Sequence, residues 1–178
     1  MKLSALCLSL GFTAVMMSGS ALAINQGGKV TFTGNITNSA CSISPESSDQ
    51  TVDLGQISIK DLTDGDKTTK PRDFDITLEN CVLDESTANT VTVTFGGTSS
   101  EFEPGILGVS GTASGVGVAI AEQNSSSGFL PLNTPSKAMD IMNGSNTMHF
   151  SAYLMGNEDA TPTEGDFTAV ANFILTYQ

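Results

Sequence analysis

Apolar side chains recur at every second position in several short stretches of this chain, and turn-forming residues separate the stretches. The longest such stretch closes the sequence, and its apolar face consists of Phe167, Ala169, Ala171, Phe173, Leu175 and Tyr177. A period of two is typical of a β-strand with one buried face. Helix signals are scarce, whereas Gly, Ser, Thr and Asn are abundant. The pattern therefore predicts an all-β sandwich or barrel.

Further strands are predicted inside the chain by the same alternation. The clearer stretches are 51–57, 73–79, 90–95, 117–121 and 148–154, and the weaker ones are 129–132 and 138–142. A long loop or a short helical turn is predicted at 61–71, and a loop at 98–115, where polar residues and glycines cluster.

The stretch from Gly28 to Ile36 also alternates, with Val30, Phe32, Gly34 and Ile36 on one face. No tight turn returns this stretch to the next one. A free terminal strand with an apolar face pairs within its own sheet or completes a sheet in another molecule. The residues by themselves leave both alternatives open.

Residues 1–23 have the features of a secretory signal peptide. Lys2 supplies the positive start, 3–17 the apolar middle, and Ala-Leu-Ala at 21–23 the cleavage pattern. We therefore expect an exported chain that begins at Ile24 and forms one domain.

Cysteine usage agrees with export. Cys7 leaves with the signal peptide, so Cys41 and Cys81 remain. An even count in an exported chain predicts one disulfide. A metal site built on these thiolates is a weak alternative, because there is no C-x-x-C pair and His149 is the only histidine. We expect no metal and no cofactor.

The formal net charge of −12 disfavours two classes of partner. Nucleic acid and anionic membrane surfaces both attract Lys and Arg. The acidic surface is better explained as a solvated one that keeps an exported protein soluble.

Catalytic candidates are few. His149 lies on the opposite face of its stretch from Met148 and Phe150, so we expect it to point to solvent. There is no G-x-S-x-G motif, and the carboxylate pairs at 64/66 and 158/159 lack the spacing of a calcium loop. The sequence therefore predicts a protein that is not an enzyme.

Four motifs, taken in order, resemble the subunits of chaperone–usher fimbriae, in particular type-1-like major pilins. The run 27–43 resembles the family's amino-terminal extension and first strand, and 51–55 resembles its Val-x-Leu-Gly segment. Cys81 follows an alternating stretch, as the second cysteine does in the family. The carboxyl end has Tyr177 next to last and Gly165 fourteenth from the end, which resembles the family's assembly signal.

The resemblance implies an incomplete immunoglobulin-like sandwich that a donated strand completes. It implies three parts, namely the signal peptide 1–23, the extension 24–37 and the pilin domain 38–178. Val30, Phe32 and Ile36 would fill a groove in the next subunit, and Gly34 would lie where the backbones approach closely. The acceptor face would consist of Gly165, Phe167, Ala169, Ala171, Phe173, Leu175 and Tyr177.

The partners that the resemblance implies are identical or related pilins, a periplasmic chaperone and an outer-membrane usher. The product would be an extracellular adhesive fimbria reached through the periplasm. Two alternatives from other classes remain at this stage. One is a secreted β-sandwich module that binds carbohydrate, and the other is a periplasmic hydrolase that relies on His149. A tip adhesin of the family would carry an additional receptor-binding domain, for which the chain has no room.

Overall fold

The structure is a computed structural model that describes residues 28–34, 36, 39–83, 89–123 and 128–178. The predicted signal peptide and the cleavage position before Ile24 lie outside these residues. The chain divides into two units, Met1–Ile36 and Thr37–Gln178. In the first unit the described residues 28–34 and 36 are not in a strand, unlike the prediction. Alternation gives a segment one apolar face, but a strand also needs a hydrogen-bonded neighbour.

The second unit is built almost entirely of β-strands, which confirms the predicted class. Its helical residues in the described part are α1 (Pro45–Ser48) and a 3₁₀ turn (Ile59–Leu62). The strands are β1 (Ser42–Ile43), β2 (Arg72–Cys81), β3 (Thr90–Gly97), β4 (Leu107–Gly108), β5 (Ser110–Gly111), β6 (Val116–Glu122), β7 (Met139–Asp140), β8 (Gly144–Gly156), β9 (Phe167–Thr168) and β10 (Ala171–Tyr177). No helix among the described residues is long and apolar enough to cross a membrane.

Two antiparallel sheets form the sandwich. The larger has the order β1-β2-β8-β6-β4 and the smaller the order β10-β3-β7, while β5 and β9 form a separate pair. Phe95 of β3 joins the two sheets, because its ring lies 5.1 Å from that of Phe150 on β8 and 6.2 Å from that of Phe74 on β2. Such edge-on aromatic contacts add to the free energy of burying the rings themselves.

The central strands confirm the alternation in the sequence. On β8 the side chains of Met148, Phe150, Ala152 and Leu154 are buried, and every residue of β6 before Glu122 is buried. Strand β6 is paired along both edges, with β8 and with β4, and the burial of side chains on both of its faces explains why its sequence contains little polarity. Strand β8 begins at Gly144, earlier than predicted, where the backbone takes a φ of 103°.

Three of the predicted segments need correction. The stretch 129–132 is not a strand, because Pro131 lacks the N–H that a ladder requires and only single backbone bonds hold its neighbours. The stretch 138–142 shortens to β7. The predicted loop 98–115 contains the short strands β4 and β5.

The carboxyl-terminal stretch is also interrupted. It divides into β9, which pairs with β5, and β10, which pairs with β3, so the chain passes from one sheet to another between them. The side chains nevertheless keep their alternation without interruption from Phe167 to Tyr177, since each odd position is half-buried and each even position is exposed.

A disulfide joins Cys41 and Cys81, as the cysteine count predicted. It ties the start of β1 to the end of β2. Asn146 is buried beside it and donates hydrogen bonds from Nδ2 to Cys81 Sγ (3.3 Å) and to the Met142 carbonyl (2.7 Å). These contacts fix one end of the sandwich, which we call the disulfide end.

Candidate functional site

A large groove opens between the carboxyl-terminal stretch and the segment 51–57 of the second unit, with a volume of ≈ 1420 Å³. Buried core side chains from both sheets form its floor. These include Ile76, Phe95, Val118 and Leu154, and the half-buried Phe74 lies beside them. A sandwich normally covers such residues with a strand at this position, so the groove is a gap in the architecture.

One wall of the groove is the inner face of β9 and β10. Phe167, Ala169, Ala171 and Phe173 line it, and each of them is half-buried instead of buried. The two alanines lie between the two phenylalanines, so the wall is recessed in its middle. Its side chains contact the core on one side and the open groove on the other.

The backbone of this wall has an open edge. Strand β10 is the outermost strand of its sheet and pairs only with β3, in a register that sets Phe173 opposite Phe95. In an antiparallel strand, half of the N–H and C=O groups point away from such a neighbour. Among the described residues, no strand takes up those groups on the groove side of β10.

The other wall is the segment 51–57, which was predicted as a strand. It has no regular secondary structure and joins no sheet, and Val52, Leu54 and Ile57 are half-buried. Gly55 N–H donates to Asp53 Oδ1 at 2.8 Å, and no other backbone hydrogen bond of this segment is found in the described part of the chain. Sequence reasoning missed this wall as part of the site, although its alternation marked it as a strand.

Gly165 lies at one end of the groove. It has a φ of 153°, and a Cβ there would collide with Thr112 Oγ1 and with the Ala113 nitrogen. The next residue, Asp166, holds the two segments together, because its backbone carbonyl accepts hydrogen bonds from the N–H groups of Thr112 (2.9 Å) and Ala113 (3.1 Å). Only glycine allows the two segments to approach so closely.

Leu175 and Tyr177 share the face of β10 with Phe173 but lie outside the groove lining. Both pack against the buried core. The Tyr177 hydroxyl is the buried side-chain polar atom that lacks a hydrogen-bond partner among the described residues. Burial raises the pKa of this phenol.

In the first unit, the predicted donor residues carry their apolar face in the open. Val30, Phe32 and Ile36 are 73%, 90% and 99% exposed. A Cβ built on Gly34 would meet no atom within 4 Å. Exposed apolar side chains of this size at regular spacing are typical of a binding segment.

The catalytic candidate His149 contacts a residue of the neighbouring strand and lies outside the groove. Its Nδ1 lies 2.7 Å from Asp75 Oδ1, directly across the ladder between β8 and β2, and both side chains are about half exposed. Such an exposed polar contact contributes little to stability. Within the described residues, no group of His, Cys, Asp and Glu has the arrangement of a metal site.

Comparison with known proteins decides the family. A family model described as "Fimbrial protein" matches residues 30–178. The chain belongs to the fimbrial protein family. The resemblance seen in the sequence is thereby confirmed.

Two similar curated proteins cover nearly all of this fimbrial subunit. Fimbria A protein of Serratia marcescens is 50% identical over 164 residues, which is 91% of each chain. The major MR/P fimbria protein of Proteus mirabilis is 44% identical over 180 residues and covers 100% of both. These relatives are structural fimbrial proteins and not enzymes, so the fimbrial subunit has a structural role.

Solved structures agree with the fold. A subunit in the structure of a chaperone–usher pilus is 34% identical, with a TM-score of 0.75, over 89% of this chain and all of the other. The P pilus rod subunit PapA is 30% identical, with a TM-score of 0.68, over 79% of this chain and all of the other. The sandwich of this fimbrial subunit is therefore the immunoglobulin-like one of pilins.

Proposed function

We propose that this fimbrial subunit polymerises head to tail by donor-strand exchange. In this proposal the extension 24–37 of one copy adds a strand to the groove in the pilin domain, 38–178, of the next. The observation that carries the proposal is the open backbone edge of β10 above an apolar groove, in a chain that also contains an exposed alternating segment. Adding an extended segment to a sheet edge is a known mode of recognition.

The energetics favour the exchange. Covering Val30, Phe32 and Ile36 removes three large apolar side chains from water, which contributes about 5–9 kcal/mol before the ordering costs of binding. The incoming backbone also supplies hydrogen bonds to the open edge, and it buries the half-exposed faces of Phe167 and Phe173.

The sizes of the side chains point to one register. If the donor runs antiparallel to the wall with Gly34 opposite Phe167, each pair combines a large with a small residue. The pairs are Gly28 with Phe173, Val30 with Ala171, Phe32 with Ala169, Gly34 with Phe167 and Ile36 with Gly165. The uninterrupted alternation from Phe167 to Phe173 supports this one-to-one pairing.

Other registers fit less well. An antiparallel donor with Gly34 opposite Phe173 would set Phe32 against Leu175 and Val30 against Tyr177, where two large side chains compete for one space. A parallel donor with Gly34 opposite Phe167 would place Val30 at Thr163, beyond the recessed wall, and would leave Ala171 unfilled.

Strand donation between identical copies is a heterologous contact that does not close, so it produces a fibre. Before assembly, a strand from a periplasmic chaperone fills the same groove, and an outer-membrane usher exchanges it for the extension of the next subunit. The signal peptide, 1–23, directs this export, and the mature fibre is an extracellular adhesive fimbria. The family relationship and the open groove support these steps.

The substitution Phe32→Asp tests the proposal. It places a charge in the donor face, so we expect that the variant's extension no longer enters the groove of another subunit in a fibre. Its own groove should still bind chaperone. Thr33→Asp makes the same change of charge on the other face of the extension and serves as the matched control. Normal fibres from the Phe32 variant, or equal loss with both variants, would exclude the donor role.

A further inference from the structure

We propose that a second copy of this chain docks directly on the disulfide end through an apolar patch formed by Val82 and Met142. This contact lies outside the groove and adds to strand donation, and the proposal rests on the function proposed above. The donor subunit would then be held by its folded domain as well as by its extension.

The patch is exposed and preformed. Val82 and Met142 are 73% and 72% exposed, the highest values among the large hydrophobic side chains described in the second unit. Each of them immediately precedes one of two hydrogen-bonded residues, because Leu83 N–H donates to Asn143 Oδ1 at 2.6 Å. The Asn146 side chain accepts a hydrogen bond from the N–H of Met142 and donates one to its C=O, so the backbone of Met142 is held in place. Isolated surface apolar residues are common, but paired ones on a fixed support are typical of an interface.

The position of the patch gives its occupant. Val82 N–H donates to the Ala40 carbonyl at 3.0 Å, so the patch borders the point where the extension joins the sandwich. From Ile36 to Ala40 the chain advances four residues, which span at most roughly 14 Å when fully extended. A groove that holds Ile36 must therefore belong to a molecule whose surface lies beside Val82.

The proposed register also indicates which part of that molecule faces the patch. Ile36 lies opposite Gly165, so the donor domain would lie at the Gly165 end of the neighbour's groove. Ala113, whose backbone lies against Gly165, lines that end; Ile59 also lines the groove, and both residues are half-buried. They offer an apolar surface that Val82 and Met142 of the incoming copy can cover.

The test uses mature chains that begin at Ile24. Fibres are assembled from the wild type and from a variant with Val82→Thr and Met142→Gln, which keep the size of each side chain but make it polar. We expect the variant fibres to dissociate in guanidinium roughly tenfold faster, because the apolar contact is lost. Ile174→Thr is the matched control, since Ile174 is 68% exposed on the outward face of β10.

A second measurement separates this inference from the function on which it rests. A free peptide of residues 27–37 is added to Phe32→Asp chains with and without the patch substitutions. Equal stabilisation of both chains, with faster dissociation only for patch-variant fibres, supports the docking surface. The docking surface is wrong if the peptide stabilises both chains but patch-variant fibres dissociate at the wild-type rate, or if Ile174→Thr speeds dissociation equally.

If the double variant yields little polymer, each single substitution is compared in the same way. If the peptide stabilises no chain, strand donation itself is wrong.

Discussion

The ring of Phe173 lies 6.3 Å, centroid to centroid, from the ring of Phe95 at the floor of the groove. Phe95 is 2% exposed and contacts the aromatic rings of the larger sheet, whereas Phe173 is only half-buried. The pair therefore joins the wall of the groove to the core, and one side of Phe173 remains for an incoming strand to cover.

Replacing Phe173 by alanine should weaken both the wall and the binding of a donor strand. Because the ring is half-buried, we expect a loss of about 2 kcal/mol, below the 3–5 kcal/mol of a fully buried phenylalanine. The measurement is the guanidinium midpoint of the chain with bound peptide 27–37. Ile174→Ala, one residue along on the exposed face, should change the free energy of unfolding by less than about 0.5 kcal/mol. Equal effects of the two substitutions would contradict the orientation of β10.

The proposed register predicts a specific rescue. A donor peptide with Gly34→Val should bind the wild-type groove at least about a hundredfold more weakly, because the new side chain meets Phe167. A chain with Phe167→Ala should bind the Gly34→Val peptide at least about tenfold more tightly than the wild-type chain does. Such a rescue is the coupling that a double-mutant cycle measures for residues in contact. Peptide affinity measured by titration decides the point. Phe173→Ala is the control, and rescue there instead of at Phe167 would indicate a different register.

Gly165→Ala should destabilise the end of the groove, because the added Cβ collides with the Thr112 side chain and the Ala113 backbone. Gly65→Ala provides a comparison, since Gly65 also has a positive φ, 61°, but has open space around it. We expect losses of about 3 kcal/mol for the first and about 1 kcal/mol for the second, from chemical unfolding. Equal losses would mean that backbone conformation alone requires glycine at position 165.

Replacing both Cys41 and Cys81 by serine should lower the free energy of unfolding by about 3–4 kcal/mol, since the disulfide closes a long loop of the unfolded chain. The midpoint of guanidinium unfolding, with the groove filled by peptide in both proteins, measures this difference. A change below about 1 kcal/mol would show that the hydrogen bonds of Asn146 hold this end of the sandwich without the disulfide.

The sequence was sufficient to predict the side of each strand but not its neighbour. The face shared by Phe167, Ala169, Ala171 and Phe173 followed from a period of two, which reports burial. The division into β9 and β10 did not follow, because alternation continues through residues 169 and 170 while the hydrogen-bonding partner changes from β5 to β3.

The same limit explains the other differences. The segment 51–57 alternates like a strand, yet in the described residues no neighbour pairs with it. The sequence pattern did not distinguish Leu175 and Tyr177 from Phe173, because all three share one face of the strand. Whether a residue on that face lines the groove or packs on the core depends on the tertiary structure around it. Val82 and Met142 carried no signal of periodicity, so only their exposure beside Ala40 revealed them.

The most direct test of the central proposal is the unfolding of the mature Phe32→Asp chain in guanidinium, with and without the peptide 27–37. This chain cannot donate its own extension well, so the added peptide is the available strand. We expect the peptide to raise the midpoint strongly and to slow unfolding, because a ligand that binds only the folded state stabilises it. An unchanged midpoint and an unchanged rate, in a chain that is stable without peptide, would contradict an incomplete fold that a donated strand completes.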